Sequence, residues 1–351
     1  MSSNVLRVGL IGYGFAGKTF HAPVITAVPG MQLAKVVQRS SSSSKERYPW
    51  VEVVPHVNDL YRDDSIDLIV VTTPSNDHYE FVKDALLAGK HVVVEKPFTV
   101  TADEADRLIA LAKEQGKVLS VFHNRRWDGD FLTIREIVAQ ELLGRISEAE
   151  FSWDSYRPAV GKNWRDKALP GSGVFYDLGV HLIDQALTLF GVPATINAEV
   201  RAIRDNAASH DYFQVVLGYT DGLRVRLKSS PLVRERGPRY TLHGTLGSFV
   251  KYGLDPQEKA LINGGTPLEP DWGAEPEALW GTLNTSVGGL QFTGRIRTIP
   301  GSYASYFQNV HDAITGKAEL AVKPEQARMA VRLIELGMKS SDERRTIEVT
   351  P

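Results

Sequence analysis

The sequence predicts an α/β N-terminal domain with a doubly wound parallel sheet of the Rossmann type, followed by an α+β domain with a large, mainly antiparallel open sheet. Three observations carry this. A G-x-G-x-x-G turn follows the first apolar run directly. Strand-like and helix-like segments then alternate from residue 5 to residue 122. Beyond that point strand-like runs succeed one another, parted by turn signals such as Thr220-Asp221-Gly222. The expected division is 1–123 for dinucleotide binding and 124–351 for substrate binding and oligomerisation. A chain of 351 residues exceeds what one hydrophobic core usually serves.

Residues 5–11 read as a strand that runs into Gly12-Tyr13-Gly14-Phe15-Ala16-Gly17. Gly12 permits the tight turn, Gly14 lets a pyrophosphate approach the backbone, and Gly17 allows the following helix to pack closely, with Phe15 and Ala16 completing the cradle. Gly12, Gly17, Lys18 and Thr19 also satisfy G-x-x-x-x-G-K-[ST], the phosphate loop of a nucleotide triphosphatase, which is the remote alternative. That reading needs an acid at the end of a core strand to hold magnesium, and the run from Asp67 ends in threonines.

Residues 31–37 form the second strand, ending at Gln38-Arg39-Ser40-Ser41. An acid here would accept from the free 2′-hydroxyl of NAD; Arg39 with the Ser40 and Ser41 hydroxyls suits the 2′-phosphate of NADP, which is favoured over NAD. Residues 51–54 and 66–72 are further strands. Thr73-Pro74-Ser75-Asn76-Asp77-His78 then forms a turn at the same rim, offering Thr73, Pro74, Asn76 and His78 to the cofactor. A helix over 79–88 closes at Gly89, and Val92-Val93-Val94 reads as a buried parallel strand ending in Glu95-Lys96-Pro97. Strand ends of this kind face the ligand crevice, so Lys96 is the first candidate for chemistry, with Pro97 restricting its backbone. A helix over 101–115, capped by Thr101 and Glu104, and a strand over 118–122 complete the domain.

The second half opens on His123-Asn124-Arg125-Arg126-Trp127-Asp128, a polar and aromatic junction, and continues with a helix to about residue 143 and a strand over 146–156. A long loop from Arg157 to Gly173, with Trp164 in it, has the length of a functional loop. A helix over 174–190 sets Asp177, His181 and Asp184 on one face of an otherwise apolar segment, which marks a site rather than a surface. The Asp177 and His181 spacing could ligate zinc, but no third ligand stands at a matching spacing, and no metal is expected. Strands are expected over 196–203, 212–219, 223–229, 239–243 and 248–252, an irregular excursion over 253–294, helices over 303–314 and 324–339, and an edge strand over 346–349.

Composition narrows the function. Lys plus Arg number 40 and Asp plus Glu 42, a net charge of −2, and no basic run points to nucleic acid or to an anionic membrane. There is no cysteine, which excludes disulfides, thiolate catalysis and cysteine-bound metals. No apolar run reaches the roughly 20 residues of a membrane span, and no signal core opens the chain, so a soluble cytoplasmic protein is expected.

With these pieces in view the chain resembles the Gfo/Idh/MocA family of nicotinamide-dependent oxidoreductases. The pieces that match are the glycine turn, Thr73-Pro74 with His78, Glu95-Lys96-Pro97, Asn124-Arg125-Arg126, and Asp177 with His181 on a helix. The stretch from His123 to Thr133 and the run Gly253-Leu254-Asp255-Pro256-Gln257-Glu258 look closest to the NADP-dependent scyllo-inositol dehydrogenase subgroup. One departure is that many members carry an acid where this chain has Gln38 and Arg39. The resemblance implies a site in which Lys96, Asp177 and His181 surround the substrate carbon.

Hydride leaves carbon only as a proton leaves the adjoining oxygen, so a base near neutral pKa and a cation are both needed. His181 is the candidate acid/base, Lys96 the donor to the reacting oxygen and Asp177 the orienting group; lysine and histidine could exchange roles. Asn124, Arg126, Tyr156, Arg157, Trp164 and Tyr303 are polar or amphipathic groups suited to a polyol or sugar, with Glu95, Asn124 and Arg126 also near the cofactor. A catalytically silent protein sensing NADP or a sugar is the alternative of another class. A homo-oligomer, dimer or tetramer, is expected from the open second sheet.

Overall fold

The computed structural model describes residues 5–161 and 166–350. Six parallel strands form the first sheet: β1 (Leu6–Ile11), β2 (Met31–Val37), β3 (Glu52–Val54), β4 (Leu68–Val71), β5 (His91–Val94) and β6 (Leu119–Val121). Their order is β3-β2-β1-β4-β5-β6. Helices α1 (Ala22–Ile25), α2 (Ser44–Arg47), α3 (Asn58–Tyr61), α4 (His78–Leu87) and α5 (Ala102–Glu114) alternate with the strands. β4 throughout, and β5 beyond His91, are apolar on successive residues because both sheet faces are covered, and every residue of β4 is buried. Burying such a valine stabilises the fold by about 1.5–3 kcal/mol. The Thr101 and Glu104 capping box is present at the start of α5. The strand order reverses between β1 and β4, which pair from Val8 with Leu68 to Ile11 with Val71. Ligand crevices of open α/β sheets lie at the carboxyl ends of such strands.

The chain continues through α6 (Gly129–Ala139), β7 (Ile146–Ser152), a π-helical turn Phe175–Gly179, and α7 (Val180–Phe190). Then come β8 (Thr195–Arg201), β9 (Tyr212–Gly218), β10 (Arg224–Ser229), β11 (Tyr240–Gly244), β12 (Gly247–Lys251) and α8 (Gln257–Ile262). The last elements are β13 (Gly281–Val287), β14 (Leu290–Ile296), α9 (Tyr303–Ile314), α10 (Pro324–Glu343) and β15 (Ile347–Glu348). Nine of the strands form one sheet, ordered β14-β13-β12-β11-β7-β10-β9-β8-β15. All its pairs are antiparallel except β7 with β10.

Two stretches differ from the sequence reading. The 253–294 stretch, read as irregular, holds α8 and the β13–β14 hairpin. Thr, Asn, Gln and Gly dominate that hairpin, and β14 is mostly exposed, with Leu290 at 76%. No apolar alternation therefore advertised it. The helix over 174–190 begins as a π-helical turn that contains Asp177.

The compact units are not divided by one cut between 123 and 124. The first takes in the chain through Trp127 together with Pro256–Trp272 and Ser302–Arg328; the second takes in Asp128–Asp255, Gly273–Gly301 and the chain from Met329. The reason lies in buried aromatic and amide groups. Tyr303, Tyr306, Phe307 and Val310 of α9 join the apolar cluster of Leu6, Val8, Leu10 and Phe122. Gln257 donates to the Trp127 carbonyl (3.1 Å), and its Oε1 accepts from Trp272 Nε1 (3.0 Å) and the Tyr303 amide (2.7 Å). In the second unit Phe151, Phe175, Phe213 and Leu242 meet Ile183, Leu333 and Ile334 of the helices.

Candidate active site

Gly12 leaves β1 with φ +95, a conformation L side chains rarely adopt. Thr72, just past β4, donates its hydroxyl to the Ile11 and Gly12 carbonyls, both at 3.0 Å, and so ties the turn to the neighbouring strand end. A Cβ at Gly17 would lie 2.3 Å from the Gly12 carbonyl oxygen, so this glycine is required by the protein itself. Gly14 differs, since a Cβ there would meet nothing within 4 Å. Its place on the turn, exposed, is what a backbone kept open to a phosphate requires. Phe15, 58% exposed, and Ala16 flank it. Thr19 is buried at 9%, whereas the phosphate-loop reading needs its hydroxyl on a metal.

The second rim position is the end of β2. Gln38, rather than an acid, organises the loop: its Nε2 donates to Ser41 Oγ (2.7 Å) and Ser43 Oγ (3.1 Å), and its Oε1 accepts from the Ser44 amide (3.1 Å). Arg39 and Ser40 are left exposed beside it. A guanidinium with hydroxyls and no carboxylate in this loop fits a 2′-phosphate.

Two turns complete the rim. Thr73 Oγ1 is buried with no hydrogen-bond partner among the described residues, while Pro74 and Asn76 are exposed. His78 is buried, with Nδ1 2.8 Å from the Pro97 carbonyl and Nε2 3.1 Å from the Thr73 carbonyl. Burial pushes its imidazole below the usual range, against the opposing pull of those carbonyls. His78 therefore straps the Thr73 turn to the Pro97 turn. Glu95 is also inward: Oε1 lies 2.7 Å from His21 Nε2, and Oε2 accepts from the Lys96 amide at 3.0 Å. Burial pushes this carboxyl up, but the His21 hydrogen bond, with the Lys96 ammonium nearby, outweighs it and holds it below the usual range. Lys96, half-buried, stands at the carboxyl end of β5, and the Lys96–Pro97 peptide is cis.

In the second unit, Asp177 lines a cavity of about 260 Å³ with Ser155, Arg157, Arg204 and His210. Arg204 Nε donates to Asp211 Oδ2 at 2.8 Å and its Nη1 to the Ala159 carbonyl at 2.9 Å, so its charge is already used in shaping the wall. The His210 ring covers Gly173: a Cβ there would fall 2.4 Å from His210 Nε2, and Gly173 has φ +86. His181, one turn beyond Asp177, is 5% exposed, its ring 5.8 Å from that of Trp153 and tilted by 31°. The Arg239 guanidinium lies over the same indole at 4.3 Å.

Comparison with known proteins places this geometry. The model for the oxidoreductase family NAD-binding Rossmann fold matches residues 6–123, and that for the family's C-terminal alpha/beta domain matches 135–349. The chain belongs to the Gfo/Idh/MocA oxidoreductases. Among relatives, the oxidoreductase YdgJ of Escherichia coli (strain K12) is 46% identical over 99% of both chains. The scyllo-inositol 2-dehydrogenase (NADP(+)) IolW of Bacillus subtilis (strain 168) is 41% identical over 98% of this chain and 96% of its own. The solved structure of the Bacillus subtilis oxidoreductase yvaA superposes with a TM-score of 0.96 at 40% identity, covering 100% of each chain.

For a Gfo/Idh/MocA oxidoreductase the rim of the first sheet is a nicotinamide-cofactor site, and its residues fit one: an open Gly14 backbone, a Thr73 hydroxyl with no partner among the described residues and an exposed Arg39. Several residues named from sequence are buried or have partners within the protein. Tyr303, expected from its chemistry to meet the substrate, is fully buried, and its hydroxyl accepts from Arg125 Nη1 at 2.8 Å. Arg126 is 4% exposed and donates to the Ala321 carbonyl (3.0 Å) and Gln326 Oε1 (2.9 Å); Asn124 is 5% exposed. His78 and Glu95 hold turns in place. Tyr156, 42% exposed, stacks under Arg234 at 4.2 Å, and Arg157 lines the cavity. Trp164 lies outside the described residues. Sequence reasoning missed Thr72, His21 and His210, and named Gln38 only as standing where many members carry an acid, not as the residue that organises the loop just past β2.

Proposed function

We propose that this oxidoreductase is NADP(H)-dependent and transfers hydride between nicotinamide and a secondary alcohol or ketone of a cyclitol, scyllo-inositol or its inosose, or of a related sugar. The observation that carries the reading is the 41% identity with IolW over 98% of the chain, supported by Arg39 in a β2 loop that lacks an acid. A 1,5-anhydro-D-fructose reductase of Ensifer adhaerens, 29% identical over 70% of this chain, keeps a sugar within the substrate class.

Bound NADP supplies the hydride acceptor. The chain's own residues handle the proton and the developing charge. In this reading Lys96 donates to the reacting oxygen and stabilises it as alkoxide character grows. His181 takes the hydroxyl proton in oxidation and returns it in reduction; its indole neighbour fixes the ring plane. Asp177 accepts from substrate hydroxyls at the cavity wall. Arg157 and Ser155 contribute further hydrogen bonds there, which a polyol needs in number.

The test is a spectrophotometric assay of the purified protein with NADP and a panel of inositols and sugars, and with NADPH and the matching ketones. Oxidation of scyllo-inositol with NADP, and much less with NAD, is expected. Absence of turnover with every polyol and ketone overturns the reading.

A further inference from the structure

His21 stands four residues past the last glycine of the cofactor turn, at the end of the π-helical turn Gly17–His21, and its side chain is fully buried. The ring is held between aromatic neighbours, with centroids 4.2 Å from Phe122 and 5.9 Å from Phe307. Such packing restricts the ring's orientation. In that orientation Nε2 meets Glu95 Oε1 at 2.7 Å, and Nδ1 has no hydrogen-bond partner among the described residues. An ionised carboxylate only accepts, so Nε2 carries the proton and donates it. The other Glu95 oxygen accepts from the amide of Lys96, the next residue, at 3.0 Å. One buried carboxylate therefore spans from the glycine-turn helix to the backbone of the lysine.

We propose that His21 is a positioning residue: through Glu95 it fixes the backbone from which Lys96 reaches the substrate, and so links the cofactor turn to the reacting lysine. The inference rests on the reading of Lys96 as the group that meets the substrate oxygen. Without the His21 donor, the carboxylate loses the hydrogen bond to its Oε1, must turn toward another partner, and takes the Lys96 amide with it. Buried carboxylates do not remain unpaired. His78, Lys96 and the Tyr306 hydroxyl region are the charged and polar neighbours available to it.

The experiment uses the full chain with His21→Leu, His21→Gln and Glu95→Gln. The Gln amide nitrogen can occupy the place of Nε2 and donate, and Leu cannot. For each variant three quantities are measured: kcat and KM for scyllo-inositol with NADP, the Kd for NADPH by fluorescence, and the rate at which Lys96 of the cofactor-free protein is trapped by pyridoxal phosphate and borohydride, located by peptide mass. His21→Leu is expected to lower kcat on the order of 10- to 100-fold, the scale of a misplacement near one ångström, with the NADPH Kd changed less than about threefold. Its Lys96 trapping rate departs from wild type by about fivefold or more in either direction, and His21→Gln brings both quantities most of the way back to the wild-type values. Wild-type kcat and trapping in His21→Leu overturn the proposal. So does His21→Gln failing as badly as His21→Leu, since shape and not the hydrogen bond then matters. Should His21→Leu not fold, His21→Asn, too short to reach Glu95, takes its place, and its double variant with Glu95→Gln decides: a kcat no lower in the double than in Glu95→Gln alone supports the link, and independent losses that add overturn it. A wild-type protein that turns over no polyol removes the functional reading alone, because the trapping rates still decide whether His21 governs Lys96.

Discussion

Gly17 faces the carbonyl oxygen of Gly12 so closely that a Cβ there would fall 2.3 Å from it, whereas a Cβ at Gly14 would touch nothing within 4 Å. The two glycines thus serve different masters, one the fold and one the ligand. Gly17→Ala should cost about 2 kcal/mol or more, seen as a lowered thermal midpoint, because backbone and not a flexible side chain stands in the way. Gly14→Ala should unfold with the wild-type midpoint and bind NADPH at least about tenfold more weakly, as a methyl intrudes on the pyrophosphate. Thermal unfolding and fluorescence titration of the two variants check the split; equal loss of stability in both would contradict it.

Arg39 is the exposed cation of a loop whose hydroxyls Gln38 has already arranged. Arg39→Ala should weaken NADP binding by about 2 kcal/mol, about thirtyfold in Kd, while leaving NAD binding within about twofold. Isothermal titration with each dinucleotide reads the ratio. Parallel losses for NADP and NAD would show that Arg39 does not meet the 2′-phosphate.

The first sheet was legible because its signals are local: unbroken valine and isoleucine runs, a glycine turn, and a Thr101 and Glu104 cap that formed as written. The rim residues of that sheet followed from strand order. What was not legible is pairing across distance. Nothing in residues 17–25 says that His21 meets Glu95, 74 positions on, and nothing in Tyr303 says that Arg125 claims its hydroxyl. A polar aromatic reads the same whether it faces a ligand or a buried guanidinium. The β13–β14 hairpin failed for the opposite reason, since an exposed edge needs no apolar alternation.

His91 opens β5, and its Nδ1 accepts from the Val118 amide at 3.0 Å. Burial, with the Lys117 charge adding to it, lowers its pKa from 6.5 to about 4. The unfolded chain therefore binds more protons between these values, and stability is lost as pH falls from 6.5 toward 4. Discounted for its partial exposure, the loss is about 1–2 kcal/mol. His91→Asn keeps an acceptor for Val118 and removes the titration. Denaturant unfolding over this range should show a smaller fall in the variant; an identical pH slope would mean that other groups carry it.

Lys251 and Glu275 form an ion pair at 3.0 Å with side chains 1% and 0% exposed. Thr298 donates to the other carboxylate oxygen at 2.7 Å, and Lys251 also donates to the Tyr252 carbonyl at 2.6 Å. Burial pushes the Glu275 carboxyl up, against the Thr298 hydrogen bond and the lysine charge. Removing one partner leaves the other charge in a medium that solvates it poorly, so Lys251→Met should cost about 3–5 kcal/mol. Glu275→Leu should cost a similar amount. The double variant removes both charges together and should be less destabilised than the sum of the singles by about 2 kcal/mol or more. Denaturant midpoints of the four proteins close the cycle. Additive losses would mean that the pair is solvated in the folded protein and that its burial does not set its energetics.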